Sequence, residues 1–264
     1  MEKKGSLSHR CSKNNGSSDP NREQSLKRRK ILEQKRIADQ LVDVACSEKD
    51  HLSPFPSFQH YNHDGLSLCL QSGRGNKLSY SVKKYIQKLL KINMEGPYGS
   101  QWPTEEKVKY REIVSTQARY IFVHESSNAS ANGVPSKSDA EKTTTTSNKK
   151  DLMVAFVHFR FIVEEMIPVL YVYELQIEPR FQGRGLGTFL MDLVELIARK
   201  NCMGAVVFTV QKANSKALNF YKSKLRYTIS TISPSRVNSL MAIETSYEIL
   251  CKTLVEEAKA VLED

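Results

Sequence analysis

The sequence predicts an α/β domain of the α+β kind, about seven strands flanked by helices, with a further helix ahead of it and a polar tail at its start. Three observations carry that expectation. The 264 residues are 40% hydrophobic and 26% charged, enough for one sizeable core plus tails. Apolar runs of period two alternate along the chain with runs of helical period. The most informative stretch, Val169 to Ala198, reads strand, glycine loop, helix.

Residues 1–24 are polar, with Asn-Asn-Gly-Ser-Ser and a proline, and are expected to be disordered. From Ser25 to Cys46 the pattern is helical, with Ile31, Ala38, Val42 and Ala45 on one face that should pack on the flank of the domain, so 25–47 reads as a basic N-terminal helix. The domain itself is expected over 60–252. After a loop holding Pro54 and Pro56, Leu66 to Gln71 alternates as a first strand. The next four residues, Ser72-Gly73-Arg74-Gly75, form an internal segment without a free α-amine.

Ser81 to Asn93 and Thr104 to Ser115 read as helices, the second capped by Thr104 with Glu105 and Glu106 in its favourable first turn. Between them lies an aromatic loop, Glu95-Gly-Pro-Tyr98-Gly-Ser-Gln-Trp102-Pro, holding the chain's one tryptophan. Ala118 to His124 and Leu152 to Val163 read as strands. They are separated by a low-complexity insertion, 126–150, too polar to order itself.

Val169 to Ile177 is rich in β-branched and aromatic residues, and Pro179 stops it by removing a backbone donor. Gly183, Gly185 and Gly187 follow, then a helical run through Leu190, Leu193, Val194, Ile197 and Ala198. Ala205 to Gln211 is a strand and Asn214 to Lys224 a helix. Arg226 to Ile232 and Glu244 to Cys251 read as closing strands, and 253–264 as a tail with a short helix.

A glycine loop before a helix collects backbone N–H groups at the positive end of the helix dipole, where a phosphate is attracted. A plain strand-to-helix turn has the same outline. The spacing here is Gly-x-Gly-x-Gly, not the Gly-x-Gly-x-x-Gly of dinucleotide folds, and Ala205 to Gln211 carries no acid for a ribose. No Lys follows the last glycine, so a P-loop is excluded as well.

The pattern Gln182-x-x-Gly185-x-Gly187, with Asn214 opening a helix that reaches Phe220-Tyr221, resembles the acetyl-CoA loop and last αβ unit of the GNAT N-acetyltransferases. His158-Phe-Arg-Phe161, Leu170-Tyr-Val-Tyr-Glu-Leu-Gln176, Ser233-Pro-Ser235 and Ser246-Tyr-Glu-Ile-Leu250 are similar to the histone N-terminal acetyltransferases of the NatD type. The resemblance covers nearly everything from Lys27 to Lys252 except the insertion. It implies a mixed, mostly antiparallel central sheet with an added N-terminal helix, and transfer of acetyl from acetyl-CoA to the α-amine of core histones whose tail begins Ser-Gly-Arg-Gly. An idle binding module, or a GNAT acting on lysine or small amines, is the alternative.

The same resemblance assigns residues. Glu174 would be the base, with Tyr173 beside it. The backbone of Leu175, Gln176 and Ile177 would pair with the pantetheine arm, with Asn214 on the arm's amides. Gly183, Arg184, Gly185, Leu186, Gly187 and Thr188 would hold the pyrophosphate, with Gln182 opening the same donor-binding loop. Tyr98, Trp102, Tyr171, Tyr173, Thr209 and Tyr247 would line the peptide groove, and Tyr221 would protonate the leaving thiolate. One departure stands out: similar enzymes can carry an acid where this chain has Ile162, so that either Glu164 or Glu165 would compensate or Glu174 would work alone.

Charge and cysteines bound the partners. Residues 1–36 hold 11 Lys/Arg against 4 Asp/Glu, which is +7 of the net +10, so the basicity is mostly N-terminal. Lys27-Arg28-Arg29-Lys30 with Lys35-Arg36 reads as a nuclear import signal, a chromatin- or ribosome-contacting phosphate patch, or a solvated helix face. To hold a cationic tail, the groove must be locally acidic. Five scattered cysteines form no Cys-x-x-Cys pair, so neither a disulfide framework nor a metal site is expected. No run is apolar enough for a membrane span or a leader, which places the expected monomer in nucleus and cytoplasm.

Overall fold

The structure is a computed structural model describing residues 20–126, 152–238 and 244–263. The expected disorder of residues 1–19 and the insertion 126–150, apart from Ser126, lie outside these. The chain divides into two units, the first ending at Ile37. The described part of that first unit is the start of helix α1 (Pro20–Ser47). Residues 21–37 are all exposed, and Lys27–Glu23 and Arg36–Glu33 pair along the helix at 2.9 and 2.6 Å. Helix α1 therefore starts before Ser25. Ile31 is exposed, whereas Ala38 and Ala45, in the second unit, are buried.

The second unit is built on one eight-stranded sheet, one strand more than expected. The strands are β1 (His60–His63), β2 (Leu66–Arg74), β3 (Arg119–Glu125), β4 (Met153–Glu164), β5 (Ile167–Ile177), β6 (Ala205–Gln211), β7 (Thr228–Ile229) and β8 (Tyr247–Thr253). Their order is β1-β2-β3-β4-β5-β6-β8-β7, antiparallel throughout except for β5 beside β6. The additional strand is β1, which hairpins onto β2 through the Asp64-Gly65 turn. Two of the expected spans shrink: the 226–232 run keeps only two paired residues, and β8 starts at Tyr247.

Each face of the sheet carries a core. One is capped by α4 (Leu186–Lys200) and α5 (Ser215–Asn219), where Leu190, Leu193, Val194 and Ile197 meet Val157, Val172 and Phe208. The other is capped by α2 (Tyr80–Tyr98) and α3 (Trp102–Ile113), where Ile86, Leu89, Leu90 and Trp102 meet Tyr120, Phe122 and Phe156. Short helices α6 (Pro234–Val237) and α7 (Glu256–Leu262) close the far edge.

Two local expectations change. The stretch from Glu95 to Pro103 is not an open loop, because α2 runs on through Pro97 to Tyr98 and ends at Gly99, whose φ is 54°. One 3-10 turn later α3 begins at Trp102, with Pro103 in its first turn, so Thr104 is not its cap. The Ser72-Gly-Arg-Gly75 segment is structural: Ser72–Arg74 pairs with β3, and a Cβ on Gly73 would meet the Phe122 ring at 2.4 Å.

Candidate active site

Strands β5 and β6 are paired only from Val169↔Ala205 to Val172↔Phe208. Beyond that point β5 keeps its ladder with β4 and β6 keeps its ladder with β8, so the two part in the middle of the sheet. A bulge in β5 accompanies the parting: His158 faces Glu174 and Phe159 faces Val172, leaving Tyr173 as the extra residue. Bulges bend a strand and sharpen its twist, which is what separating from one neighbour requires. The bulge has a second effect. Strict alternation would put Tyr173 and Glu174 on opposite faces. Here both look toward α3: Tyr173 stacks on His158 at 4.9 Å under the Arg160 guanidinium, and Glu174 bonds Lys109 of α3.

The parting opens a cavity of about 790 Å³. Of the residues expected to hold the donor, Leu175, Gln176, Ile177, Gln182, Gly183, Gly185, Gly187, Thr188 and Asn214 line it. Two do not. Leu186 is buried in the α4-face core, and Arg184 turns away to an ion pair with Asp64 at 3.0 Å. The Arg184 carbonyl accepts the Tyr61 hydroxyl at 2.6 Å, fixing the loop against β1. Gly185, at φ 81°, is the cap of α4. Asn214 caps α5, its side chain accepting from the Ala217 N–H at 3.2 Å. The Ile177 carbonyl is already taken by the Asn93 and Gln182 side-chain amides, at 3.1 and 2.9 Å, so pairing with an incoming arm falls to its neighbours.

Of the expected substrate residues, Tyr98, Tyr171, Tyr173 and Thr209 line the same cavity. Tyr171 and Thr209 share a 2.6 Å hydroxyl hydrogen bond across the β5–β6 gap. Trp102 and Tyr247 are not on its wall. Trp102 is only 3% exposed, packed in the α2–α3 core against Tyr98, and so shapes the wall from behind. Tyr247 pairs with Gln211 at the start of β8. Along β5 the tyrosines and the glycine loop are well separated, Tyr171 to Ile177 spanning about 20 Å at the rise of a strand.

Glu174 is buried, at 6% exposure, between these two groups. One carboxylate oxygen accepts from the Lys109 ammonium, the other from the Gln176 amide at 2.7 Å. Lys109 also sits over the Tyr98 ring, 5.4 Å from its centroid. Burial works against its charge, but the adjacent Glu174 carboxylate and Tyr98 hydroxyl outweigh it and hold the ammonium above the ordinary lysine range. Glu105, Lys109 and Glu112 recur at helical spacing on the inner face of α3, and all three line the cavity. Burial, countered in part by Lys109, raises the Glu112 carboxyl above its usual range.

None of the three was singled out from the sequence for this role, because charged residues on a polar helix read as a solvated face. Ile162 packs in a third apolar cluster beside Tyr171, and Glu164 and Glu165 do not reach the cavity wall. The acids that stand in the groove therefore come from α3. Tyr221 lines the cavity as well, and burial, then the Glu174 charge, keeps its hydroxyl protonated well above pH 7.

The Acetyltransferase (GNAT) family pattern matches residues 87–225, more than half of the chain and the span of the whole cavity. The chain belongs to the GNAT acetyltransferase family. Solved structures to which the chain is similar at low identity include three acetyltransferase-related ones. The PaiA N-acetyltransferase of Thermoplasma acidophilum, in complex with coenzyme A, is 14% identical, with 70% of this chain and 99% of that one covered at a TM-score of 0.44. Arabidopsis thaliana NAA60 with a bisubstrate analogue is 10% identical over 71% and 99%, at 0.46. Arabidopsis thaliana Naa50 with the analogue CoA-Ac-MVNAL is 15% identical over 70% and 99%, at 0.41.

The cavity suits the GNAT donor on its own terms. Two buried polar atoms of residues on its wall lack a hydrogen-bond partner, Thr188 Oγ1 and Gln211 Oε1. The first stands at the start of α4, where a phosphate oxygen would satisfy it. Among the described residues there is no cluster of three or more His, Cys, Asp or Glu that would hold a metal ion.

Proposed function

We propose that this GNAT enzyme transfers acetyl from acetyl-CoA to the free N-terminal amine of core histones whose tail begins Ser-Gly-Arg-Gly, working as a monomer in nucleus and cytoplasm. The observation that carries the reading is the parting of β5 and β6, which gives one cavity with a glycine cradle toward one end, tyrosines toward the other and Glu174 between. Gly183, Gly185, Gly187 and Thr188 would hold the pyrophosphate, with Gln182, Asn214 and the β5 backbone along the arm. When bound, acetyl-CoA supplies an activated thioester carbonyl. The protein's task is to deliver a neutral amine to it and remove a proton.

An α-amine, with a pKa of about 7.7 to 8.0, is roughly a fifth neutral at physiological pH, so a buried carboxylate is base enough. Glu174 fits that role, directly or through a water. The substrate side of the reading rests on charge. The cavity wall carries Glu105, Glu112 and Glu174 against Lys109, Lys216 and Lys224, but the charges are segregated. All three acids lie on α3 and β5 with Lys109 as their one cation, whereas Lys216 and Lys224 belong to α5 and the turn after it, beside Asn214, so the acids of the α3 side supply the field that a cationic tail requires. Three phenolic rings beside them, Tyr98, Tyr171 and Tyr173, suit an extended peptide start. The exposed basic run of α1, Lys27 to Arg36, would serve import or contact with nucleic-acid phosphate.

A panel of peptides with free and blocked N-termini, varied over the first four residues, tests the proposal. Acetylation of a free Ser-Gly-Arg-Gly start, lost on blocking, supports it. Acetylation of a blocked, lysine-containing peptide would overturn it in favour of a lysine enzyme, and absence of thiol release with every amine would leave only a binding module.

A further inference from the structure

We propose that Lys109 is a positioning residue for acetyl transfer: its buried ammonium, reaching across from α3, holds the Glu174 carboxylate in place and ionised at the point where β5 and β6 part. The inference rests on the reading of Glu174 as the proton acceptor and adds the residue that makes that role feasible in a closed wall. A carboxylate at 6% exposure with no countercharge takes up a proton and ceases to be a base. Here a lysine whose side chain is 11% exposed supplies the countercharge.

Titratable groups face Glu174 from every element packed against it. From α3 come Lys109 and Glu112, from the end of α2 Tyr98, and from β3 Tyr120. From β4 comes His158, opposite Glu174 in the ladder and held neutral, first by burial and then by the Arg160 and Lys109 charges. From β5 itself comes the neutral amide of Gln176, and from the turn after α5 Tyr221. Arg160 on β4 is turned to Tyr173 and to the Glu112 carbonyl. Among these, Lys109 alone brings a positive charge into hydrogen-bond contact with the carboxylate.

The geometry also limits where Lys109 acts. Its charge is spent on Glu174 and over the Tyr98 ring, so it presents a fixed dipole to the groove and not a free cation that would repel a tail. The bulge matters again, since only by turning Glu174 to the α3 face does β5 bring it within reach of Lys109.

The experiment measures kcat/KM against pH for the full chain, with the peptide and acetyl-CoA that the wild type uses best, in Lys109→Met, Lys109→Arg and Lys109→Met/Glu174→Gln. In the wild type, the acid limb from about pH 5.5 to 7 should follow one proton, that of the substrate amine. In Lys109→Met a second proton enters and the limb steepens toward a slope of two, so the loss is at least tenfold greater at pH 6 than at pH 8.5. Lys109→Arg keeps a charge and restores the single-proton limb.

A carboxylic-acid carbonyl band in infrared difference spectra at pH 6, present in Lys109→Met and gone in the double variant, reads the same event without turnover and in protein of any activity. A uniform loss at all pH values with no such band would overturn the proposal and leave Lys109 a packing residue. A wild type inactive on every amine would instead strike the functional reading, while the infrared arm would still decide whether Lys109 keeps Glu174 ionised.

Discussion

The glycine cradle makes a sharp prediction at Gly185. This residue caps α4 at φ 81°, a region that costs an L-residue about 1 to 2 kcal/mol. A Cβ there would lie 2.8 Å from the Tyr61 hydroxyl. That hydroxyl is not free to swing away, because it donates to the Arg184 carbonyl at 2.6 Å and its ring is buried against Phe189, 4.9 Å between centroids. Moving it gives up roughly another 1 kcal/mol. Gly185→Ala is therefore expected to cost about 2 to 3 kcal/mol.

If the loop relaxes by opening, the cost appears as weaker donor binding, about 30- to 150-fold in the coenzyme A dissociation constant by calorimetry. If it holds, the cost appears as a lowered melting temperature. The double variant Gly185→Ala/Tyr61→Phe, compared with Tyr61→Phe alone, separates the two parts: the hydroxyl and its bond are already gone in that background, so Gly185→Ala should cost only the dihedral there, about 1 to 2 kcal/mol. A Gly185→Ala protein that binds coenzyme A within twofold of wild type and melts at the same temperature would refute the account of the cradle. A Gly185→Ala cost in the Tyr61→Phe background equal to its cost in the wild type would refute the Tyr61 contact.

The other predictions are briefer. Thr188→Val removes the hydroxyl left without a partner at the start of α4 and should weaken coenzyme A binding roughly 10- to 100-fold with no change in melting temperature, since nothing in the protein is bonded to it. Glu174→Gln should lower kcat by about 10² or more while the donor still binds, and unchanged turnover removes it from the mechanism. Tyr221→Phe should lower kcat about as much if its protonated hydroxyl serves the leaving thiolate; rates within threefold of wild type would exclude that role. His51 is buried against Phe159 and Phe161, and burial, then the Arg119 charge, lowers its pKa from 6.5 to about 4. Its neutral folded form contributes stability that is complete above about pH 6.5 and lost as pH falls to about 4. His51→Phe should therefore remove about 3 kcal/mol of acid destabilisation from denaturant titrations over that window and leave a flatter profile.

Much of this could be read from residue order because the relevant signals are local. Strands β5 and β6 and helix α4 announce themselves by composition and period, and the glycines and Asn214 sit on the cavity wall because a loop ahead of a helix has few other places to be. Strand β1 was missed for an equally local reason: His60, Asn62 and His63 give no apolar alternation, and Tyr61 is its one buried side chain. The helical path through Glu95 to Trp102 was missed because Gly96 and Pro97 read as breakers. Yet Pro97 lies in the last turn of α2, where the break is finished by Gly99.

What the sequence hid about the chemistry has a different origin. Period two assigns Tyr173 and Glu174 to opposite faces of β5, and a polar helix assigns Lys109 and Glu112 to solvent. Both assignments fail at one place, because a single extra residue in the β4–β5 ladder reverses the register there. That slip frees β5 from β6, turns Glu174 onto the face where α3 lies, and gives Lys109 of that helix a buried partner. The opening for the substrates and the setting of the carboxylate thus have one structural cause. A change that removed the bulge would close the cavity and strand Lys109 in the same step.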